Sequence, residues 1–295
     1  MEKQTKAYIY SISAILLWST VASAFKITLR YVDFLQMLCG ASFVSVVFLS
    51  LFLLFEKKLS VLKTYSPKDY FSSAILGFLN PFLYYVILFK AYSVLSAQEA
   101  LTLNYIWPIM IVILSIPLLK QPLTIKSMVT LLNSFTGVYI LATGGEVSGF
   151  RFTSPVGVGL ALSSAVVWAL FWIYNVRDTR DEAAKLFLNF VFGFVMILTA
   201  TLLFSRVVIR NSAGLIGVVY IGLCEMGIAF ILWLKALKLS RSTARVSNFV
   251  YLSPFLSLIF IHLIVGERIA LSTVLGLVFI IAGIVLQLYK SSQTL

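Results

Sequence analysis

Runs of about 20 apolar residues recur along almost the whole chain, separated by short linkers that carry charge, glycine or proline. A helix of that length spans the roughly 30 Å hydrocarbon layer of a bilayer. The composition agrees, because 60% of the 295 residues are hydrophobic and only 12% are charged, about half the charge that a soluble surface carries. The chain is therefore expected to fold within a membrane.

The sequence predicts ten such spans and no soluble domain. They are residues 8–29, 34–55, 70–90, 96–119, 123–143, 155–175, 183–205, 213–235, 243–265 and 269–289. Runs such as LSLFLLF at 49–55 are apolar on every side, whereas the strands of a membrane β-barrel alternate apolar and polar residues. The expected fold class is an all-α integral membrane protein.

The first span has a second interpretation, a cleavable signal peptide. Lys3 and Lys6 precede its apolar run, and the small residues 22–24 resemble a cleavage site. We favour a retained span, because this segment has a counterpart in the second half of the chain.

The distribution of Lys and Arg predicts the orientation. With a cytoplasmic N-terminus, 16 of these residues fall on the cytoplasmic side and 7 on the other, so both termini are expected in the cytoplasm and the protein in the cytoplasmic (inner) membrane. The net charge of +12 is spread over short linkers that would face anionic headgroups, which argues against a nucleic-acid partner. Cys39 and Cys224 lack metal-ligand spacing and are interpreted as small buried residues.

An internal repeat divides the chain into two halves. The segment YIWPIMIVI at 105–113 returns as YLSPFLSLI 146 positions later, and Gly137 pairs with Gly283 at the same offset. Upstream the offset is 145, where GFLNPF at 77–82 pairs with GLCEMG at 222–227. We therefore predict two five-helix units, residues 1–145 and 150–291.

Because five is odd, the two units would cross the membrane in opposite directions. Inverted repeats let secondary transporters alternate between inward-open and outward-open states around a site near the midplane. The expected architecture is thus ten transmembrane helices as two inverted five-helix repeats.

Several motifs resemble one family. LLWSTVASAFK near the N-terminus, WLKALKLSRSTARVSNFVYLSPFLSLIF, GERI at 266–269 and the glycine-rich last span resemble the drug/metabolite transporter superfamily, EamA type. NYIWPIMIV at 104–112 is similar to its aromatic amino acid exporter branch. In the first half, Lys120-Gln121-Pro122 stands where the family has glycine and glutamate before the fifth span.

The resemblance implies an exporter of metabolites or drugs in the cytoplasmic membrane, often of amino acids. Carriers of nucleotide sugars and triose phosphates share the superfamily, but such anionic substrates would require basic side chains facing the cavity. In this sequence Lys and Arg lie mainly at the ends of spans.

Glu225 is the strongest candidate functional residue. It lies about a dozen residues into the eighth span, and a charge at that depth costs several kcal/mol. The repeat register pairs it with Asn80, and symmetry would place both beside a central cavity. There a carboxylate could hold a substrate amine or a coupling proton. The structural alternative is a carboxyl group that ties helices together.

Polar and aromatic residues supply the other candidates for the cavity. Amides can orient a carboxylate or amine, and aromatic faces stack on flat substrates or hold cations, although the same residues serve ordinary packing. The cavity candidates are Trp18, Asn80, Asn104, Tyr105, Trp107, Trp168, Asn248 and Tyr251. The gate candidates are Glu99, Pro108, Pro254 and His262, with a hydrogen-bonded structural role as the alternative for His262.

No catalytic or metal-binding motif accompanies them. The glycines of 157–165 lie in an apolar span, the chain has no Walker lysine, and a single histidine does not make a His-based zinc site. We expect no enzyme, no cofactor and no metal. The hypothesis is a secondary exporter of small organic solutes such as amino acids, coupled or not to protons through Glu225. The alternatives are a passive facilitator, a carrier of nucleotide sugars, polyamines or cationic drugs, and a membrane scaffold or receptor.

Overall fold

The computed structural model describes residues 3–119, 125–143, 145, 154–240 and 248–289, and every regular element among them is helical. The first half contains α1 (Lys3–Thr28), α2 (Phe34–Phe55), α3 (Leu59–Leu62), α4 (Pro67–Gly77), α5 (Tyr84–Val94), α6 (Ala97–Asn104), α7 (Trp107–Leu119) and α8 (Ile125–Ala142). The second half contains α9 (Pro155–Arg177), α10 (Glu182–Phe204), α11 (Ser212–Tyr220), α12 (Ala229–Leu239), α13 (Ser253–Phe260) and α14 (Leu271–Tyr289).

Seven helical segments in the described ranges are long and apolar enough to cross a bilayer. They are Lys3–Thr28, Phe34–Phe55, Pro67–Val94, Ala97–Leu118, Pro155–Asn175, Glu182–Phe204 and Ser212–Leu239. Two shorter apolar helices, Phe249–Val265 and Leu271–Leu286, correspond to the last two predicted spans, and α8 corresponds to the fifth. The all-helical membrane fold is confirmed, while the number ten and the side of the termini stay predictions.

Capping side chains mark where several of the helices begin. Asp33 accepts from the backbone at the start of α2, while Ser66 and Ser96 do the same for α4 and α6. In each case a partner three residues on completes a capping box, which satisfies backbone donors that the helix leaves unpaired. The polar linkers thus define the ends of the apolar segments.

Two of the long spans depart from α-helical geometry at repeat-related positions. Residues Phe78–Leu83 between α4 and α5, and Ile221–Ile228 between α11 and α12, form wide π-helical turns. The first contains Pro81, which donates no backbone hydrogen bond, and Asn80 there leaves helical geometry at φ −149° and ψ 119°. π-Helical segments are frequent at functional sites, and these two lie where GFLNPF aligns with GLCEMG.

The two halves pack against each other throughout. Helix α1 lies against α12 and α13, α2 against α10, and α5 against α9. Helices α8 and α14, the last of each half, form a closely packed pair. Each half therefore supplies a wall to any space at the centre of the molecule.

Glycines allow the closest helix contacts. A Cβ on Gly77 of α4 would collide with the backbone carbonyl of Asn189 in α10, and a Cβ on Gly193 would collide with the ring of Pro81. Large apolar side chains such as Phe55, Phe204 and Ile216 instead lie exposed on the outer surface, where lipid would cover them.

Candidate functional site

A central cavity of about 770 Å³ lies between the two halves. Its walls come from α1, α5, α6, α7, α9, α12, the start of α13 and the turns beside them. Residues singled out from the sequence that line it are Trp18, Asn104, Tyr105, Trp107, Trp168, Glu225 and Tyr251. A volume in this range suits one small organic molecule.

Aromatic rings form most of the wall at the centre. Trp18 of α1 lies 5.5 Å from Trp233, measured between ring centroids, and Trp168 of α9 stacks on Tyr84 at 4.5 Å. Trp172 meets Trp168 edge-on. The repeat-related Trp18 and Trp168 thus enter the cavity from opposite halves, and the rings offer flat apolar surfaces with electron-rich faces.

Glu225 is the acidic residue of the described lining. It lies in the π-helical turn Ile221–Ile228 and is 8% exposed. The hydroxyl of Tyr85 donates to its Oε1 at 2.9 Å, while Oε2 has no protein partner. A buried oxygen without a donor is costly, so this atom is a ready acceptor for a ligand or a proton.

A hydrogen-bond chain fixes the polar residues beside Glu225. The hydroxyl of Tyr84 donates to Asn104 Oδ1 at 3.4 Å, and Asn104 Nδ2 donates to Ser164 Oγ at 2.9 Å. Tyr105 donates across the cavity to the backbone carbonyl of Val250 at 2.8 Å. The last bond joins the first half to the turn that precedes α13.

The prolines and Asn248 flank the cavity. Pro108 follows the lining residue Trp107 at the start of α7, and Pro254 is buried at the start of α13, beside the lining residue Ser253. Asn248 begins the 3₁₀ turn Asn248–Leu252 that carries Tyr251, and its side chain lies outside the described residues.

The structure places Asn80 away from the cavity lining. Its side chain is fully buried and neither amide atom has a partner. The turn that holds it packs on α10, where Asn189 is likewise buried without a partner for its amide. The difference from the repeat register has a local cause, because the extended backbone at Asn80 turns this residue out of the helical phase that Glu225 keeps.

A set of polar contacts, here called the polar clasp and formed by Lys26, Gln98 and Glu267, lies next to the lining residues Phe25 and Tyr92 at one end of the cavity. The carboxylate of Glu267 accepts from the backbone N–H groups of Ala97 and Gln98 at 2.8 and 3.3 Å. Lys26 donates to the backbone carbonyls of Tyr92 and Leu95. The clasp thus joins α6 of the first half to the linker before α14, and Lys26 joins α1 to the end of α5.

The Gln98 side chain adds three bonds at the same end. Its Nε2 donates to the carbonyl of Arg268, and its Oε1 accepts from the N–H of Ala270 and the hydroxyl of Thr273. Beneath it, Phe25 and Tyr92 meet edge to face at 5.2 Å. All these contacts lie between the two halves or at the end of α1.

Two gate candidates belong to this end rather than to the cavity. Glu99 accepts from the backbone and hydroxyl of Ser96 and so caps α6. His262 is exposed, and its Nδ1 lies 3.0 Å from the carbonyl oxygen of Glu267.

The opposite end of the cavity reaches the surface at Arg177, an exposed residue that also lines it. The Arg177 guanidinium lies 3.4 Å from the carbonyl oxygen of Leu118, at the end of α7. Among the described residues, no group of three His, Cys, Asp or Glu side chains could hold a metal ion.

Sequence reasoning missed several lining residues, among them Tyr84, Tyr92, Trp172, Arg177 and Trp233. Each stands in a helix that is apolar on most sides, so no periodic pattern distinguishes its face. The repeat could have indicated two of them, because Tyr84 and Trp172 lie within one turn of Asn80 and Trp168, residues that it did single out.

The comparison with known families decides the classification. A model described as the EamA-like transporter family matches residues 5–143 and 155–289. The chain belongs to this family. The two matched EamA segments fall one in each half of the chain.

Relatives of this EamA protein carry transporter names. The aromatic amino acid exporter YddG of Ancylobacter novellus is 27% identical over 262 residues, 86% of this chain and 87% of the relative. An uncharacterized transporter of Clostridium kluyveri is 27% identical over 187 residues, 60% of this chain and 58% of the relative. The uncharacterized transporter YxxF of Bacillus subtilis is 25% identical over 231 residues, 77% of this chain and 72% of the relative.

A solved crystal structure shares the fold. It matches 98% of this chain and covers 99% of its own, with a TM-score of 0.68 and 22% identity. The family and the named relatives make this EamA protein a membrane transporter.

Proposed function

We propose that the chain is a secondary transporter of the cytoplasmic membrane that exports small amphipathic organic solutes by alternating access. Amino acids and their derivatives are the first class to test, and protons are the proposed coupling ion. The single observation that carries this proposal is the central cavity, in which aromatic walls from both halves surround the buried carboxylate of Glu225. The relative named as an aromatic amino acid exporter supports an aromatic solute.

Alternating access is supported by the difference between the two ends of the cavity. Buried aromatic rings and the polar clasp close one end, whereas the exposed Arg177 lies at the other. The π-helical turns at Phe78–Leu83 and Ile221–Ile228 provide repeat-related positions at which the spans could bend. If both termini are cytoplasmic, the structure is the inward-open state, in which an exporter takes up its substrate.

Proton coupling is assigned to Glu225 because its Oε2 has no protein partner. A carboxyl group at this depth can be occupied by a proton or by a cationic substrate group, and in an antiporter the two exclude each other. A carrier for nucleotide sugars is less well supported, because Arg177 is the basic residue of the described lining.

The test is transport by purified protein in liposomes. Wild type should drive labelled tryptophan or a related aromatic solute above its equilibrium level when a proton gradient is imposed. Glu225→Gln should abolish the gradient-driven component, while Glu56→Gln, at a half-exposed carboxylate paired with Lys235, should retain it. Wild-type accumulation by Glu225→Gln would refute the coupling role, and equilibration without accumulation in wild type would identify a passive facilitator instead.

A further inference from the structure

We infer that the cavity selects a protonated aromatic amine over the zwitterionic amino acid that carries the same ring. This inference rests on the proposed function, since it concerns the substrate class of the same cavity. It follows from the balance of hydrogen-bond donors, acceptors and charges around Glu225.

The first step is the identity of the unpartnered atom. Among the buried side-chain atoms without a partner in the described ranges, the one that belongs to a lining residue is Glu225 Oε2. A carboxylate oxygen accepts and cannot donate in its ionised form. The missing partner is therefore a donor, and a protonated amine supplies both N–H groups and the opposite charge.

The second step is that three tyrosine hydroxyl groups on the side of Glu225 already donate within the protein. The hydroxyl groups of Tyr84, Tyr85 and Tyr105 donate to Asn104, Glu225 and the Val250 carbonyl. The amide of Asn104 donates to Ser164. A substrate carboxylate that took its donors from these groups would have to break their bonds. Beside Glu225 it would also meet a second negative charge in a site of low dielectric.

The third step is the position of the basic residue. Arg177 lies nine residues beyond Trp168 on α9, so its Cα is about 13 Å further along the helix axis. Its guanidinium lies at the Leu118 carbonyl, near the end of α7 and away from Trp107 at its start. An α-amino acid bears its ammonium and carboxylate groups on the same carbon, so with its amine at the level of Trp168 its carboxylate would not reach Arg177.

The described lysines do not supply a cation for the carboxylate of a bound amino acid either. Lys26 donates to the carbonyls of Tyr92 and Leu95 in the polar clasp. The four ion pairs among the described residues do not include Glu225. In contrast, the faces of Trp18 and Trp168 beside the cavity favour an aromatic body and a cation.

Three ligands that share the indole ring system test the inference: tryptamine, tryptophan and indole-3-propionate. Binding to the full-length protein in detergent would be measured by isothermal titration calorimetry at pH 7. We expect tryptamine to bind about tenfold or more tightly than tryptophan, and indole-3-propionate not to bind measurably, because only tryptamine supplies a donor without a second charge. Glu225→Gln should weaken tryptamine binding by about tenfold, with Glu56→Gln as the unchanged control.

The affinities of the three ligands are ranked on wild-type protein, so this test does not depend on whether the Glu225 variant folds. Tryptophan binding as tightly as tryptamine would overturn the inference, as would the absence of binding by all three ligands. The proposed function would survive the first outcome if tryptophan is accumulated in liposomes under a proton gradient. It would fail separately if no solute of a broader metabolite panel is moved.

Discussion

The backbone N–H of Ala97 donates to Glu267 Oε1 at 2.8 Å, so a carboxylate of the second half caps helix α6 of the first. A charge-assisted bond at a helix N-terminus also benefits from the helix dipole. Because both residues lie at the closed end of the cavity, this bond should help to hold that end shut. Under the proposed alternating-access mechanism, this bond would link the GERI segment, which carries the family resemblance, to the conformational cycle.

Loss of this bond should open the closed end. Val21 lines the cavity and is 7% exposed, so Val21→Cys, with Cys39 and Cys224 replaced by serine, should react slowly with an impermeant thiol reagent added at the clasp side. Adding Glu267→Ala should raise the labelling rate several-fold, because it removes a partly buried charged acceptor of two backbone N–H groups. Bonds to a charged group contribute about 1–3 kcal/mol. Glu56→Ala is the control, because Glu56 lies at the C-terminal end of α2, where it pairs with Lys235. An unchanged rate with Glu267→Ala would show that the clasp does not hold the closed state.

Tyr85→Phe should weaken substrate binding while leaving the protein folded. The hydroxyl of Tyr85 holds Glu225 Oε1, and this bond directs Oε2 away from Tyr85. Without it the carboxylate has no fixed orientation, so the KM for transport should rise several-fold. Tyr70→Phe is the matched control, since it deletes a hydroxyl that donates to the Leu62 carbonyl away from the cavity. Equal KM values for the two variants would contradict a positioning role for Tyr85.

The sequence predicted the membrane fold and part of the cavity for different reasons. Apolar runs of span length have few structural solutions in lipid, which is why the helices lie close to the predicted segments. Trp18, Trp168 and Glu225 could be singled out because a repeat gives each position a counterpart. Their presence in one cavity needed the structure, since the repeat does not specify which helix faces meet.

Asn80 and Gln98 show where the pattern is insufficient. Asn80 shares a register with Glu225, but Pro81 breaks the helix beside it and the local backbone carries the side chain to α10. Gln98 was not among the candidate residues, yet its amide makes three bonds across 170 or more positions of sequence. Such partners depend on tertiary packing, which composition and spacing do not encode.

Gly193→Ala should destabilise the protein much more than Gly159→Ala. A Cβ at Gly193 would press on the ring of Pro81, whereas one at Gly159 would meet nothing within 4 Å. Forcing an extra methyl group into a packed contact costs about 1–3 kcal/mol. At the open site, alanine should be neutral or stabilise the helix by up to about 1 kcal/mol. Melting temperatures in detergent compare the two, and similar values would show that the α10 contact is not as close as described.

Acid should weaken the linker between α9 and α10, which lies outside the predicted spans. Desolvation alone raises the pKa of Asp178, but hydrogen bonds from the side chain and backbone N–H of Arg180 outweigh it, so the pKa of this carboxyl lies below its usual value. The Arg180 guanidinium also donates to the Asp69 carbonyl at 2.7 Å. The ion pair is 10% exposed on each side, so it is largely shielded from solvent.

A carboxyl group with a lowered folded-state pKa stabilises the fold above its unfolded value, about 3.9, and this contribution is lost as the pH falls through the folded value. Arg180→Ala should therefore lower the melting temperature at pH 7, with an expected cost of about 1–3 kcal/mol. The difference from wild type should shrink below pH 4. Lys58→Ala removes a more exposed pair with Asp181, for which about 0–1 kcal/mol is expected. A difference for Arg180→Ala that persists unchanged at pH 3 would show that the Asp178 charge is not what this arginine stabilises.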